Sequence, residues 1–128
     1  MELAELIYLA CPFRHADPQV QRKRCAAAHY TAAQLSSQGR HVFSPLTHNA
    51  ILIDILQDSL PGEHWMQFDL AILAGCKYLF VLKMEGWELS KGVRREILFA
   101  QERGIQVEEI EPPSESEYLD AVLSVKLS

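Results

Sequence analysis

The chain has 128 residues, 48% of them hydrophobic, and a formal net charge of −5. That length suits one domain with its own core and is too short for two comfortable ones. The acidic balance argues against a general nucleic-acid binder, since no basic stripe is available to neutralise phosphates.

The one dense basic run, Arg22-Lys23-Arg24, falls inside a helical pattern and reads as a solvated helix face. Three cysteines, Cys11, Cys25 and Cys76, form no CxxC pair and leave an odd count, which fits reduced thiols rather than a disulfide framework. The opening Met1–Glu5 is acidic where a secretory signal would be basic. No apolar run approaches the ~18–20 residues needed to cross a bilayer. A cytoplasmic protein with no membrane partner is expected.

Leu6–Cys11 is a short, uninterrupted apolar run stopped by Pro12, the pattern of a strand buried on both faces. Asp17-Pro18 then predicts a helix start, with Asp17 as N-cap and Pro18 at the first helical position. The helix runs through an Ala- and Gln-rich stretch to Gly39. Arg40–Phe43 predicts a second strand, cut off by Ser44-Pro45. From Leu46 to Leu60 the pattern is less readable, and Ile51–Leu56 reads as a short helix or a lid over a pocket. Pro61 starts a helix that carries Trp65, Phe68 and Leu73 to Gly75. Lys77–Leu82 is the clearest strand. Ser90 caps a helix ending at Gly104, Ile105–Ile110 makes a fourth strand, and Ser114–Leu127 a last amphipathic helix.

Strands and helices thus alternate over residues 1–128 with no repeat or linker. The order predicts a single doubly wound, Rossmann-like or flavodoxin-like, three-layer α/β/α domain with a parallel sheet of four or five strands. In such sheets ligands bind beyond the carboxyl ends of the strands where the winding reverses. That directs attention to the loops after Cys11, Phe43 and Leu82.

Those loops carry no GxGxxG and no GxxxxGK[ST], which removes most of the case for dinucleotide redox chemistry or ATP hydrolysis. The five histidines show no metal-ligand spacing, so neither a metal nor a cofactor is expected. Cys11 reads as a buried structural thiol in preference to a nucleophile beside His15 or His48.

The segment Ser90-Lys91-Gly92-Val93-Arg94-Arg95-Glu96 is richer in chemistry. It puts a hydroxyl and a glycine at a helix start, where free N–H groups and the dipole suit an anion such as phosphate. Glu96 falls at the edge of the apolar stripe Val93, Ile97, Ala100. By spacing alone it reads as an exposed glutamate paired with Arg95 or Arg103. Asp69, between Phe68 and Leu70, lies on the wet edge of its helix or is held by partners, because burying a lone carboxylate is costly. Tyr8 sits mid-strand, and a buried hydroxyl there needs a partner.

Taken together, three features resemble the nucleoside 2-deoxyribosyltransferase superfamily, including the deoxynucleoside 5′-monophosphate N-glycosidases. They are the opening Ile7-Tyr8-Leu9-Ala10-Cys11-Pro12-Phe13, the Trp65…Asp69 helix, and Gly86-Trp87-Glu88-Leu89-Ser90 followed by Gly92-Val93 and Glu96. The resemblance implies a nucleoside or nucleotide as the small-molecule partner. In it Glu96 acts at the anomeric carbon, Asp69 handles the base or sugar hydroxyls, and Tyr8 orients the glutamate. Ser90 and Gly92 hold phosphate or sugar, and Phe13 and Trp87 complete the substrate-binding set. It also implies a homo-oligomer. Lys77 and Arg94-Arg95 depart from the family pattern and imply either a more anionic substrate or a site without turnover. The same pocket without catalysis would make a nucleotide-binding or sensing module. A third possibility is an interaction protein that uses Trp87 and Ile51–Leu56 as an interface.

Overall fold

Side-chain caps start four of the helices, three of them where the sequence predicts a start and the fourth, Ser44, where it predicts only the end of a strand. Asp17 accepts from the Gln19 amide at 2.9 Å, Ser44 from Thr47 at 3.4 Å, Ser90 from Val93 at 3.2 Å and Ser114 from Glu117 at 3.4 Å. Each bond satisfies one of the amides a helix start leaves open.

The computed structural model describes residues 2–125. In chain order it contains β1 (Leu6–Ala10), α1 (Pro18–Ser37), β2 (His41–Phe43), α2 (Pro45–Ile55), α3 (Gly62–Leu73), β3 (Tyr78–Leu82), a 3-10 turn (Trp87–Leu89), α4 (Lys91–Glu102), β4 (Gln106–Ile110) and α5 (Glu115–Leu123). No helix among the described residues is long and apolar enough to cross a membrane.

The poorly legible stretch is a regular helix, α2. It stops where Gln57 and Asp58 take positive φ values of 52° and 53°, and the Asp58 amide returns to the Ile53 carbonyl at 2.8 Å. The last helix ends at Leu123, earlier than expected, with the Ser124 hydroxyl turned back onto the Asp120 carbonyl at 2.7 Å. The final two expected residues of that helix, 126 and 127, lie outside the described residues.

The four strands form one parallel sheet in the order β2-β1-β3-β4, so the fold is the three-layer α/β/α domain expected from the alternation. Side chains alternate across a strand, and β1 uses both faces. Ile7 and Leu9 join Ala26, Ala27 and Tyr118 under α1 and α5. Tyr8 and Ala10 join Leu73, Val93 and Ala100 under α3 and α4. Burying each large apolar side chain contributes about 1.5–3 kcal/mol, so this double-sided burial explains why the run carries no polar residue. The chain winds from β1 to β2 on one side and then crosses to β3 on the other. The carboxyl ends of β1 and β3 therefore flank the crevice of the sheet.

Candidate active site

A cleft of about 740 Å³ opens at that crevice. Its walls are the loop after β1 with Phe13, the inner side of α2 with Asn49, α3 with Trp65 and Asp69, and the first turns of α4 with Ser90, Gly92 and Glu96.

Glu96 is 5% exposed, which corrects the exposed glutamate that spacing favours. Arg95 pairs instead with Glu63 at 2.7 Å, and the Arg103 guanidinium lies over the Phe99 ring at 4.5 Å. The buried residues of α4 are Val93, Glu96 and Ala100, an i, i+3, i+7 stripe that puts the carboxylate in the middle of the packed face. Burial pushes Glu96 up to about 8; the Tyr8 hydroxyl opposes the rise and the charge of Asp69 adds to it.

Tyr8 is fully buried and donates its hydroxyl hydrogen bond to Glu96 Oε2. It does not line the cleft but supports its floor from below through that carboxylate. Burial, with the neighbouring charges of Glu96 and Asp69, strongly suppresses its acidity.

Asp69 is 9% exposed and is held by a partner: Asn49 Nδ2 donates to its Oδ1 at 2.9 Å. Burial pushes it up to about 6, against the Asn49 hydrogen bond and the charge of His48. Sequence reasoning missed Asn49, which lies in the stretch that carried no clear period.

Ser90 and Gly92 both line the cleft. The Ser90 oxygen is engaged as the cap of α4. A side chain at Gly92 would come within 3.4 Å of Met66 Cε and 3.9 Å of the Ser90 hydroxyl, so glycine keeps the helix start open toward the cleft. Phe13 lines the cleft as well, with the Arg14 guanidinium 5.0 Å over its ring.

Trp87 does not line it. Gly86 turns the chain at φ 85°, and the indole packs down against the core cluster of Tyr8, Leu79 and Val93. Trp87, expected in the substrate-binding set, is partly buried and lies outside the cleft lining. The departures Lys77 and Arg94-Arg95 lie off the cleft lining too. Lys77 pairs with Glu5 at 3.0 Å, and Arg94 Nε donates to the Glu88 carbonyl at 2.9 Å.

Arg24 overturns the solvated-face reading of the basic run. Arg22 is exposed and Lys23 pairs with Glu115 at 2.9 Å, but Arg24 is 6% exposed. Its guanidinium donates to the carbonyls of Arg14 at 3.0 Å and Glu85 at 2.8 Å, with a longer bond to Phe13 at 3.4 Å. The buried residues of α1 are Arg24, Ala26, Ala27, Ala28 and Thr31, and the helical spacing of Arg24 with Ala27, Ala28 and Thr31 was the available signal, hidden by the two basic neighbours. Cys11 behaves as a structural thiol: its sulfur sits 3.5 Å from the Pro12 carbonyl and 3.6 Å from that of Arg24, and burial pushes it well above the ordinary thiol range.

Chemically, the cleft brings together two carboxyl groups whose burial holds at least one proton on the pair near neutrality. It adds a glycine-bearing helix start and an apolar wall. Among the described residues no group of three or more His, Cys, Asp or Glu side chains could hold a metal ion.

A search of curated proteins finds no match to the chain. A family match covers residues 5–111, which spans every strand and every residue named at the cleft. The chain belongs to the family described as a domain of unknown function, DUF1937.

Proposed function

We propose that this protein acts on the N-glycosidic bond of a nucleoside, nucleotide or related ribosyl compound. The observation that carries the reading is the buried Glu96 carboxyl, held by the Tyr8 hydroxyl at the floor of a cleft that Asp69 shares. Breaking such a bond develops positive charge at the anomeric carbon, which a nearby carboxylate stabilises or captures. A second carboxyl with a raised pKa donates a proton to the departing base.

Glu96 acts at the anomeric carbon and Asp69 as the acid or base-orienting group. With Asp69 pushed up to about 6 and Glu96 to about 8, the pair holds a single proton between those limits. By those values the proton rests on Glu96, so the assigned roles require positive charge developing in the substrate to favour ionised Glu96 and shift the proton toward Asp69. Ser90 and Gly92 at the start of α4 receive the phosphate or sugar, and Phe13 with the apolar wall receives the base.

One observation favours a second reading. Burial holds the Glu96 carboxyl above the usual carboxylate range, at about 8, which suits a nucleotide-binding module without turnover.

Incubating the purified protein with nucleosides, 5′-monophosphates and NAD, and following free base by chromatography, separates the two. Base released by the parent and not by Glu96→Ala supports the glycosidic reading. Thermal stabilisation by one compound with no base released moves the assignment to the binding module. The resemblance also carries the proposal of a homo-oligomer, supported by the exposed apolar residues Ile51, Leu52, Ile55 and Leu56 on and just beyond α2.

A further inference from the structure

Asp69 ends a three-residue chain of hydrogen bonds that starts at the surface. His48 Nδ1 lies 2.8 Å from Asn49 Oδ1, and Asn49 Nδ2 lies 2.9 Å from Asp69 Oδ1. The direction of these bonds follows from the groups themselves. An ionised carboxylate only accepts, so the Asn49 nitrogen faces Asp69 and its oxygen faces His48. An amide oxygen also only accepts, so His48 presents Nδ1 as N–H.

Asn49 is 4% exposed, and a buried amide is costly unless both its ends are satisfied. The two helices meet pair against pair. His48 of α2 stacks on Phe68 of α3 with ring centroids 5.2 Å apart and planes 23° apart, while Asn49 of α2 bonds to Asp69 of α3. The stack holds the imidazole, the imidazole holds the amide, and the amide holds one carboxylate oxygen. No hydrogen bond to the other oxygen, Oδ2, exists among the described residues, and Asp69 lines the cleft.

We infer that Asn49 and His48 are positioning residues for Asp69, with His48 orienting the Asn49 amide so that Asp69 is gripped through Oδ1 and Oδ2 stays free for the ligand. This deepens the proposed function and rests on its reading of Asp69 as the acid or base-orienting group. Asp69 in turn raises Glu96 of α4 and Tyr8 of β1 through its charge. Both the amide bond and the His48 charge favour ionised Asp69.

The test is a carboxyl ¹³C NMR titration of Asp69, assigned with Asp69→Asn, in the parent protein, Asn49→Ala and His48→Phe. Phenylalanine keeps an aromatic ring to stack on Phe68 and removes the Nδ1 donor. The Asp69 acid constant is expected to fall roughly ten-fold in Asn49→Ala and in the same direction in His48→Phe, as loss of a hydrogen bond to a charged group requires. Should Asn49→Ala not fold, Asn49→Ser, whose side chain is too short to reach Oδ1, takes its place, because loss of the His48 charge alone shifts Asp69 in the same direction.

An Asp69 titration unchanged in both variants overturns the inference, and a shift in Asn49→Ala alone removes His48 from it. The readout needs no substrate. If Asp69 moves while the parent releases no base, the positioning stands and the glycosidic reading fails. If the parent releases base while Asp69 does not move, the reverse holds.

Discussion

The Tyr8 hydroxyl donates to Oε2 of Glu96, joining β1 to α4 across 88 residues of chain. Both groups are buried, and the hydrogen bond gives each a partner in place of water. This contact fixes where the carboxyl stands in the cleft. It is also the interaction that restrains the upward shift of Glu96.

Tyr8→Phe removes that donor and leaves Oε2 unsatisfied. Stability should fall by about 1–3 kcal/mol, the usual cost of orphaning a buried polar group. Glu96 should titrate at still higher pH, because the lost hydrogen bond was lowering it. Urea denaturation at pH 7 measures the first effect. An unchanged midpoint would show that the hydroxyl contributes nothing to holding the carboxyl.

Glu96 also makes stability depend on pH in a definite direction. Its folded value, about 8, lies above its ordinary value of 4.5, so the folded state binds the extra proton. The contribution is fully present below pH 4.5, erodes as pH rises, and is gone above about 8. Glu96→Gln keeps an acceptor for Tyr8 and abolishes this dependence. The variant should gain on the order of a few kcal/mol over the parent at pH 8 and little at pH 4.5. Thermal melts of both proteins at the two pH values check it, and equal gains at both would refute the assignment of the proton to Glu96.

Arg24 ties the loops after β1 and β3 together at the cleft mouth through the Arg14 and Glu85 carbonyls. Arg24→Met keeps much of the stem and loses the bonds, so Arg14 and Gly86 should exchange their amide hydrogens faster while the centre of the sheet stays protected. Gly86→Ala strains the same junction. Its φ is 85°, and an added Cβ would stand 2.9 Å from Arg24 Nη2. The guanidinium end can shift, so most of the cost, about 1–2 kcal/mol, comes from the left-handed backbone. Hydrogen exchange that spreads evenly over the domain in Arg24→Met would argue for global loosening instead of a local clamp.

Ile51 and Ile55 are 63% and 71% exposed and lie one turn apart on α2. If this face is where copies meet, the parent should sediment above the 14.5 kDa of a single chain, and Ile51→Glu with Ile55→Glu should bring it down to that mass. A parent that sediments as a monomer at all concentrations removes the proposal.

Much of the fold is legible locally. The apolar runs Leu6–Ala10 and Tyr78–Leu82, the caps Asp17, Ser90 and Ser114, and the punctuation at Gly39 and Ser44-Pro45 each act over a few residues. Their alternation leaves few arrangements for a parallel sheet. The place of the cleft follows from that order too, because the reversal of winding lies between β1 and β3. The site is legible only in part. Tyr8, Asp69, Ser90, Gly92 and Glu96 stand out as residue types in suitable segments, but their sequence does not say what covers them.

What the amino-acid sequence determined by itself is therefore the set of elements and the end of the sheet where a ligand belongs. The tertiary structure alone decided that Glu96 is buried, that Trp87 packs outside the cleft, that Arg24 is a clamp, and that Asn49 grips Asp69. The physical reason is distance along the chain. Glu96 meets Tyr8 88 positions away, Arg24 meets the Glu85 carbonyl 61 away, and Asn49 meets Asp69 20 away. Local spacing can say which face of a helix a side chain occupies. Only the packed molecule supplies the partner that makes burying its charge tolerable.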